Sequence, residues 1–238
     1  MLRFIYTIFI NLFRIPYMMH KMRYYADHPE KYSEEECYAL ARRVANMIRR
    51  TAWVRTEGSG EENLPEEGGY LLYPNHQGKY DVLGIMLTHR KPVSFIIDDK
   101  ASHGWLISEF TDLVRGGRIQ LDDLRQTLQL FRDRAAQIAA GQHCIIFPEG
   151  VYTYGKKNSL NEFKPGSFKL AKMARMPIVP VVLKDSYKPF NSWCFGPIRT
   201  YVRYLEPIPY EEYKDKRTQE VAEMVHDRIS LALKEMGA

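Results

Sequence analysis

From residue 53 onward, short β-branched apolar runs alternate with segments of helical period, and this alternation limits the possible folds more than any other feature of the chain. Residues 53–57 and 70–73 have strand character and are separated by a polar, turn-rich stretch at 58–69. Further short apolar runs follow at 93–97, 118–121, 143–147, 178–183 and 200–205. Helical patterns lie between and after them, at 80–88, 105–113, 168–174 and 218–236. The clearest covers 123–140, where Leu124, Leu128, Phe131, Ala135 and Ile138 recur along one helical face. Strands interleaved with helices predict an α/β sheet covered by helices. The chain shows no internal repeat, low-complexity tract or interdomain linker.

Composition excludes several other classes. With 238 residues, 45% hydrophobic and 26% charged, the chain has enough apolar surface to bury a core, so it is neither a disordered tail nor a collagen-like fibre. Cys37, Cys144 and Cys194 are odd in number and show no CxxC spacing, which argues against a disulfide framework or a zinc knuckle and fits a reducing compartment. The whole net charge of +5 falls within residues 1–55.

That basic quarter also contains the most hydrophobic segment. Residues 4–13, between Arg3 and Arg14, include only Thr7 and Asn11 as polar side chains. A spanning helix needs about 20 apolar residues, so this stretch is too short to cross a bilayer. No small-residue cleavage site follows it, which argues against a secretory signal. A second helix is expected after Ser33, which with Glu36 has capping-box spacing. Its apolar positions are Tyr38, Leu40, Ala41, Val44, Met47 and Ile48, and Arg42, Arg43, Arg49 and Arg50 decorate the other side. Residues 1–52 are therefore expected to form an amphipathic helical pair docked on a membrane surface, with packing on the domain or a dimer interface as the alternative. Residues 53–238 are expected to form the catalytic domain.

Two short motifs could carry chemistry. Asn75-His76-Gln77-Gly78-Lys79-Tyr80-Asp81 follows a strand and opens a helix. In such a loop an aspartate can hold Nδ1–H of a histidine and leave Nε2 to take a proton. The pair alone carries no weight, because seven histidines among 29 acidic residues in 238 give about one such pair at any fixed offset by chance. Phe147-Pro148-Glu149-Gly150 ends an apolar strand and presents Glu149 at the kind of edge where α/β sheets build sites. Other chemistries find less support. There is no GxSxG elbow, Cys144 reads as a small core residue, and a metal at His76 and Asp81 lacks a third nearby ligand. The basic residues interleaved with aromatics at 14–25 sit beside an apolar face that favours lipid over nucleic acid.

Taken together, NHxxxxD and FPEG resemble the motifs of the PlsC-like glycerolipid acyltransferases, which acylate 1-acylglycerol-3-phosphate (lysophosphatidate). Phe163-Lys164-Pro165-Gly166 resembles the family's FK-x-G segment, and Met176-Pro177-Ile178-Val179-Pro180 its proline-marked strand. Lys100 stands where the family often has a lysine, ahead of Gly117-Arg118-Ile119. The resemblance spans roughly residues 70–205 and implies a mixed central sheet of the glycerol-3-phosphate acyltransferase type. It implies His76 and Asp81 as the catalytic pair. It implies Asn75, Lys100, Phe147, Pro148, Glu149, Gly150, Tyr152, Lys164 and Gly166 as substrate-binding residues. No bound cofactor or metal is implied; acyl-CoA or acyl-acyl carrier protein would be co-substrate, with membrane lysophospholipid as partner on the cytoplasmic side of the cell membrane.

The sequence departs from the family pattern at two places. Asp123 and Tyr152 stand where the family usually carries arginines implicated in holding the acceptor's phosphate. Lys100, Arg118, Lys156 and Lys157 are candidate replacements. A remodelling acyltransferase with another lysophospholipid or neutral acceptor is the alternative enzyme, and a catalytically silent lipid-binding protein the alternative of another class.

Overall fold

The computed structural model describes residues 2–120, 122–150, 153–191 and 196–237. Among them, seven strands form one sheet: β1 (Val54–Ser59), β2 (Tyr70–Pro74), β3 (Ser94–Asp98), β4 (Gly117–Ile119), β5 (His143–Ile145), β6 (Ile178–Lys184) and β7 (Ile198–Tyr204). Three helices precede the sheet: α1 (Leu2–Ile10), α2 (Arg14–Asp27) and α3 (Glu34–Thr51). Those that follow are α4 (Asp81–Thr88), α5 (Asp99–Ser102), α6 (Ile107–Leu113), α7 (Leu124–Ala139), α8 (Lys169–Ala174), α9 (Lys188–Asn191), α10 (Tyr210–Tyr213) and α11 (Thr218–Glu235). Every strand and helix expected from residue 53 onward is found, with ends that agree to within two residues. The single-turn elements α5, α9 and α10 are too short to leave a periodic signal.

The sheet order is β1-β7-β6-β2-β5-β3-β4. Strands β2 to β6 are mutually parallel, so their C-terminal ends emerge on one edge. Strand β7 reverses direction beside β6, pairing Val181 with Tyr204, and β1 runs parallel to β7. The sheet is therefore mixed. In β2, Tyr70 and Leu72 face one core together with Tyr38, Val44 and Ile85, while Leu71 and Tyr73 face another with Phe131, Leu170 and Val225. Both faces are covered, which is why the central strands read as continuous apolar runs.

The N-terminal region differs from expectation. It holds three helices, because the chain breaks at Asn11–Phe13 and restarts with Pro16 in the first turn of α2, where a missing N–H costs nothing. The capping box at Ser33 forms, with Glu36 N–H to Ser33 Oγ at 3.2 Å and Ser33 N–H to Glu36 Oε2 at 2.9 Å. Helices α2 and α3 are not a separate unit, since Met22, Leu40, Ala41 and Val44 share one core with Tyr70, Leu72 and Ile145. Two of the four α3 arginines turn toward the protein: Arg42 donates to the Leu87 carbonyl and Arg49 to the Val54 carbonyl. No helix among the described residues is long and apolar enough to cross a membrane.

A buried polar cluster fixes the start of β2. Tyr70 Oη donates to His89 Nε2 at 2.8 Å, and His89 Nδ1–H donates to the Lys91 carbonyl at 2.8 Å. A carbonyl can only accept, so Nδ1 carries a proton, and burial disfavours a second one on Nε2. Burial pushes the imidazole pKa down from 6.5 to about 4. Between those values the unfolded chain binds a proton that the folded chain refuses, so stability rises with pH across this window. Stability should be full above about pH 6.5 and fall by about 3 kcal/mol on acidification toward pH 4, the linkage equivalent of that pKa gap. Urea unfolding from pH 4 to 7 measures this slope, and His89→Gln should flatten it.

Candidate active site

Strands β6, β2 and β5 lie side by side and parallel, and the segments leaving their C-terminal ends build one cluster. At the end of β2, Asn75 extends the ladder with its side chain. Its Nδ2 donates to the Leu183 carbonyl at 3.0 Å and its Oδ1 accepts the Leu183 N–H at 2.7 Å. His76 then leaves the sheet, and the chain turns into α4, whose first residue is Asp81.

Asp81 is fully buried, and its Oδ2 gathers three donors: His76 Nδ1 at 2.7 Å, Gln77 N–H at 2.6 Å and Gly78 N–H at 2.9 Å. A helix N-terminus favours negative charge at this position. Because the carboxylate can only accept, Nδ1 of His76 carries the proton and Nε2 is the basic nitrogen. The imidazole packs on Phe147 from the end of β5, with ring centroids 4.3 Å apart, and its side chain is 19% exposed. The next residue before Asp81 is Tyr80, whose hydroxyl burial pushes up to about 12, so it stays protonated at its 2.7 Å contact with Thr56.

Glu149 supports the same loop from the other side. Its Oε1 accepts the backbone N–H of His76 at 2.8 Å, and its Oε2 is ion-paired with the Lys156 ammonium, both side chains being almost wholly buried. Gly150 turns with φ of +80°, and a β-carbon there would fall 2.8 Å from Lys164 Nζ, so the lysine lies directly over the glycine. Lys164 is tied to the same turn through its N–H to the Pro148 carbonyl at 2.8 Å.

The fold thus brings together His76, Asp81, Phe147, Pro148, Glu149, Gly150 and Lys164. Three others have different surroundings. Asn75 is buried and its amide pairs with the Leu183 backbone, which pins the strand end. Lys100 lies on the surface in an ion pair with exposed Asp122 at 3.0 Å. Gly166 sits in a 3-10 turn where a β-carbon would meet open space. Tyr152 lies outside the described residues. The Asp123 carboxylate caps α7 by accepting the N–H groups of Arg125 and Gln126. Arg118 is held by Ser102 and by Asp112 at 2.7 Å.

Sequence reasoning missed the contribution of Gln77. Its Oε1 accepts the Ser186 N–H, while its Nε2 donates to the Leu183 carbonyl and to Asn158 Oδ1. Asn158 in turn donates to Asp185, so the loop after Gly150 is fastened to the exit of β6. The only signal available was the position of Gln77 beside His76. Cys144 is fully buried and burial pushes its thiol up, which leaves it inert. Among the described residues, no group of three or more His, Cys, Asp or Glu could hold a metal ion.

The sequence profile of the family described as Acyltransferase matches residues 55–184, more than half of the chain. The chain belongs to that acyltransferase family. The 1-acyl-sn-glycerol-3-phosphate acyltransferase of Saccharomyces cerevisiae is 30% identical over 196 residues, covering 75% of this chain and 59% of the yeast protein. The chain therefore spans less than two thirds of that relative's length. The alpha form from Ovis aries is 28% identical over 221 residues, covering 84% of this chain and 74% of the sheep protein. Among solved structures, the lysophosphatidate acyltransferase PlsC of Thermotoga maritima superposes with a TM-score of 0.79 at 19% identity, covering 100% of this chain and 95% of that one, which is a likeness of fold.

The ion pair between Lys156 and Glu149 has a measurable consequence. Removing one partner of a buried pair leaves an uncompensated charge and costs about 3–5 kcal/mol. Lys156→Met should therefore lower the melting temperature by about 10 °C. The double variant Lys156→Met with Glu149→Gln should recover part of the loss. Scanning calorimetry on the three proteins measures both effects.

Proposed function

We propose that the protein transfers a fatty acyl group from an acyl thioester to the free hydroxyl of a lysoglycerophospholipid, with 1-acylglycerol-3-phosphate as acceptor and phosphatidic acid as product. The observation that carries this reading is His76 at the C-terminal edge of the parallel strands, its Nδ1–H held by Asp81 and its Nε2 basic. Nε2 takes the proton of the acceptor hydroxyl as the oxygen attacks the thioester carbonyl. The tetrahedral intermediate collapses, the carbon–sulfur bond breaks, and the imidazolium returns its proton to the departing thiolate. Transfer is direct, without an acyl-enzyme, and the donor is acyl-CoA or acyl-acyl carrier protein. Lys164, whose ammonium lies over Gly150 and has no carboxylate partner among the described residues, is the cation proposed for the acceptor's phosphate.

Helix α1 and the break that follows it support docking on a membrane surface, on this reading the cytoplasmic leaflet. Their polar residues face inward: Thr7 and Asn11 are buried, Asn11 donates to Thr51 at 2.9 Å, and Arg3 donates to the carbonyls of Ala52 and Gly196. The apolar residues Ile5, Tyr6, Phe9, Leu12 and Phe13 face outward, with Phe13 93% exposed. A helix that hides its polar side and presents its apolar one suits the interface of a bilayer.

A labelled acyl thioester offered with a panel of lysolipids tests the reaction directly. His76→Ala should lower turnover about 10²- to 10⁴-fold with the fold intact, the usual cost of losing a general base. Asp81→Asn should also cripple it, by losing the charge that favours the imidazolium. Near-normal turnover by folded His76→Ala would overturn the mechanism. Vesicle flotation tests the docking. Deleting residues 1–13 should release the protein from anionic vesicles, and raised salt should weaken, without abolishing, wild-type binding because the apolar contribution is unscreened.

A further inference from the structure

Helix α1 has one aromatic side chain that turns away from its exposed face. Phe4, Thr7, Ile8 and Asn11 follow the i, i+3, i+4, i+7 spacing and line the side that meets the protein. Phe4 does not sink into the middle of the core. It inserts between the catalytic loop and α9: its ring meets Phe190 edge-on at 5.4 Å, and the Lys79 ammonium sits 5.2 Å from its centroid.

Lys79 belongs to the 76–81 loop, and so do the next contacts along the path. Phe190 meets the Tyr80 ring edge-on at 5.9 Å. Asn191, the last residue of α9, backs onto Gly78, where a β-carbon would fall 3.0 Å from its Oδ1. Gly78, Lys79 and Tyr80 are the three residues just before Asp81, and Gly78 N–H is itself one of the donors to Asp81 Oδ2. The outer wall of the turn that aligns His76 with Asp81 is therefore made by α9 and by Phe4 of α1.

Helix α1 is held to the protein along one side and exposed along the other. Arg3 reaches the Ala52 and Gly196 carbonyls, and Asn11 reaches Thr51, while most of its remaining side chains are exposed. We propose that Phe4 is a positioning residue for the catalytic loop, so that the helix presenting the apolar face also holds the His76–Asp81 turn in register. Seating α1 at a lipid surface then restrains Phe4, and through Lys79 and Phe190 the turn that carries the dyad. The proposal rests on the acyltransferase reading of that dyad.

Two measurements test it, one independent of turnover. Amide hydrogen exchange of Gln77 and Gly78, whose N–H groups donate to Asp81, should speed up about tenfold in Phe4→Ala, as expected for losing an aromatic pair and a cation–π contact together. The amides of β2 and β5 should be unchanged. Unaltered protection at Gln77 and Gly78 would overturn the proposal, whether or not the protein transfers acyl groups.

The second measurement uses lysophosphatidate dispersed below its aggregation limit, so that vesicle binding plays no part. Phe4→Leu and Lys79→Gln should each lower kcat about two- to fivefold with KM unchanged, and the double variant should be no worse than either single one. Phe4→Tyr, which keeps the ring face, should restore the wild-type rate. Wild-type kcat in Phe4→Leu, or additive losses in the double variant, would overturn the coupling. So would a KM rise confined to Lys79→Gln, which would make Lys79 a head-group ligand instead. If wild type transfers no acyl group while the exchange result holds, the acyltransferase reading fails and the positioning role stands.

Discussion

Oδ2 of buried Asp81 receives three N–H donors, and the geometry of the 76–81 loop follows from that convergence. A buried carboxylate is costly unless its charge is met by several hydrogen bonds. Two of the donors are consecutive backbone amides, so satisfying the charge forces residues 76–78 to curl back over the start of α4. The third is the imidazole itself. One oxygen therefore sets the tautomer of His76, its ring orientation and the path of the chain around it. Displacing Asp81 would release all three together.

That curl needs a fixed starting point, and the sheet supplies it. Asn75 continues the β2–β6 ladder with side-chain atoms where the backbone has begun to leave, and Gln77 captures the Ser186 amide just beyond β6. Glu149 holds the His76 amide from the β5 side. Three adjacent parallel strands thus each contribute one restraint to a loop of six residues. The charge left on Glu149 is balanced by Lys156, whose ammonium is carried inward on a loop that Asn158 binds to Asp185. The loop after Gly150 is in this way part of the site's support.

The fold was legible because its signals were local. Helix α7 shows its period over 16 residues, and the strands show β-branched runs closed by glycine or proline. Ser33 and Glu36 announced a cap that needs no distant partner. The dyad was legible for the same reason, since His76 and Asp81 stand five residues apart at a strand-to-helix junction. What the sequence hid depends on long-range partners. Nothing near Asn75 indicates that Leu183, 108 residues away, consumes its amide, and nothing near Lys156 indicates a buried carboxylate. The inward turn of Thr7 and Asn11 was also hidden, because an amphipathic helix has the same period whichever face meets the protein. The burial of Thr7, the docking of Asn11 on Thr51 and the contact of Phe4 with Phe190 decide the direction.

Asp123 holds its carboxylate against the first turn of α7 as its cap. Lys100, Arg118 and Lys156 are each committed to a carboxylate, those of Asp122, Asp112 and Glu149. On the reading proposed above, the acceptor's phosphate is met by Lys164, an ammonium on a flexible stem resting over Gly150. An ammonium acts as a point charge, whereas a guanidinium fork matches two oxygens of a monoester in fixed geometry. Recognition through Lys164 would therefore follow the amount of negative charge more than its arrangement. An acceptor bearing a phosphodiester would lose part of one charge's attraction but no bidentate contact, so the penalty against it is smaller here than in a site built on arginines. On that reading, a site without the forks would take a wider range of head groups over the same His76–Asp81 pair.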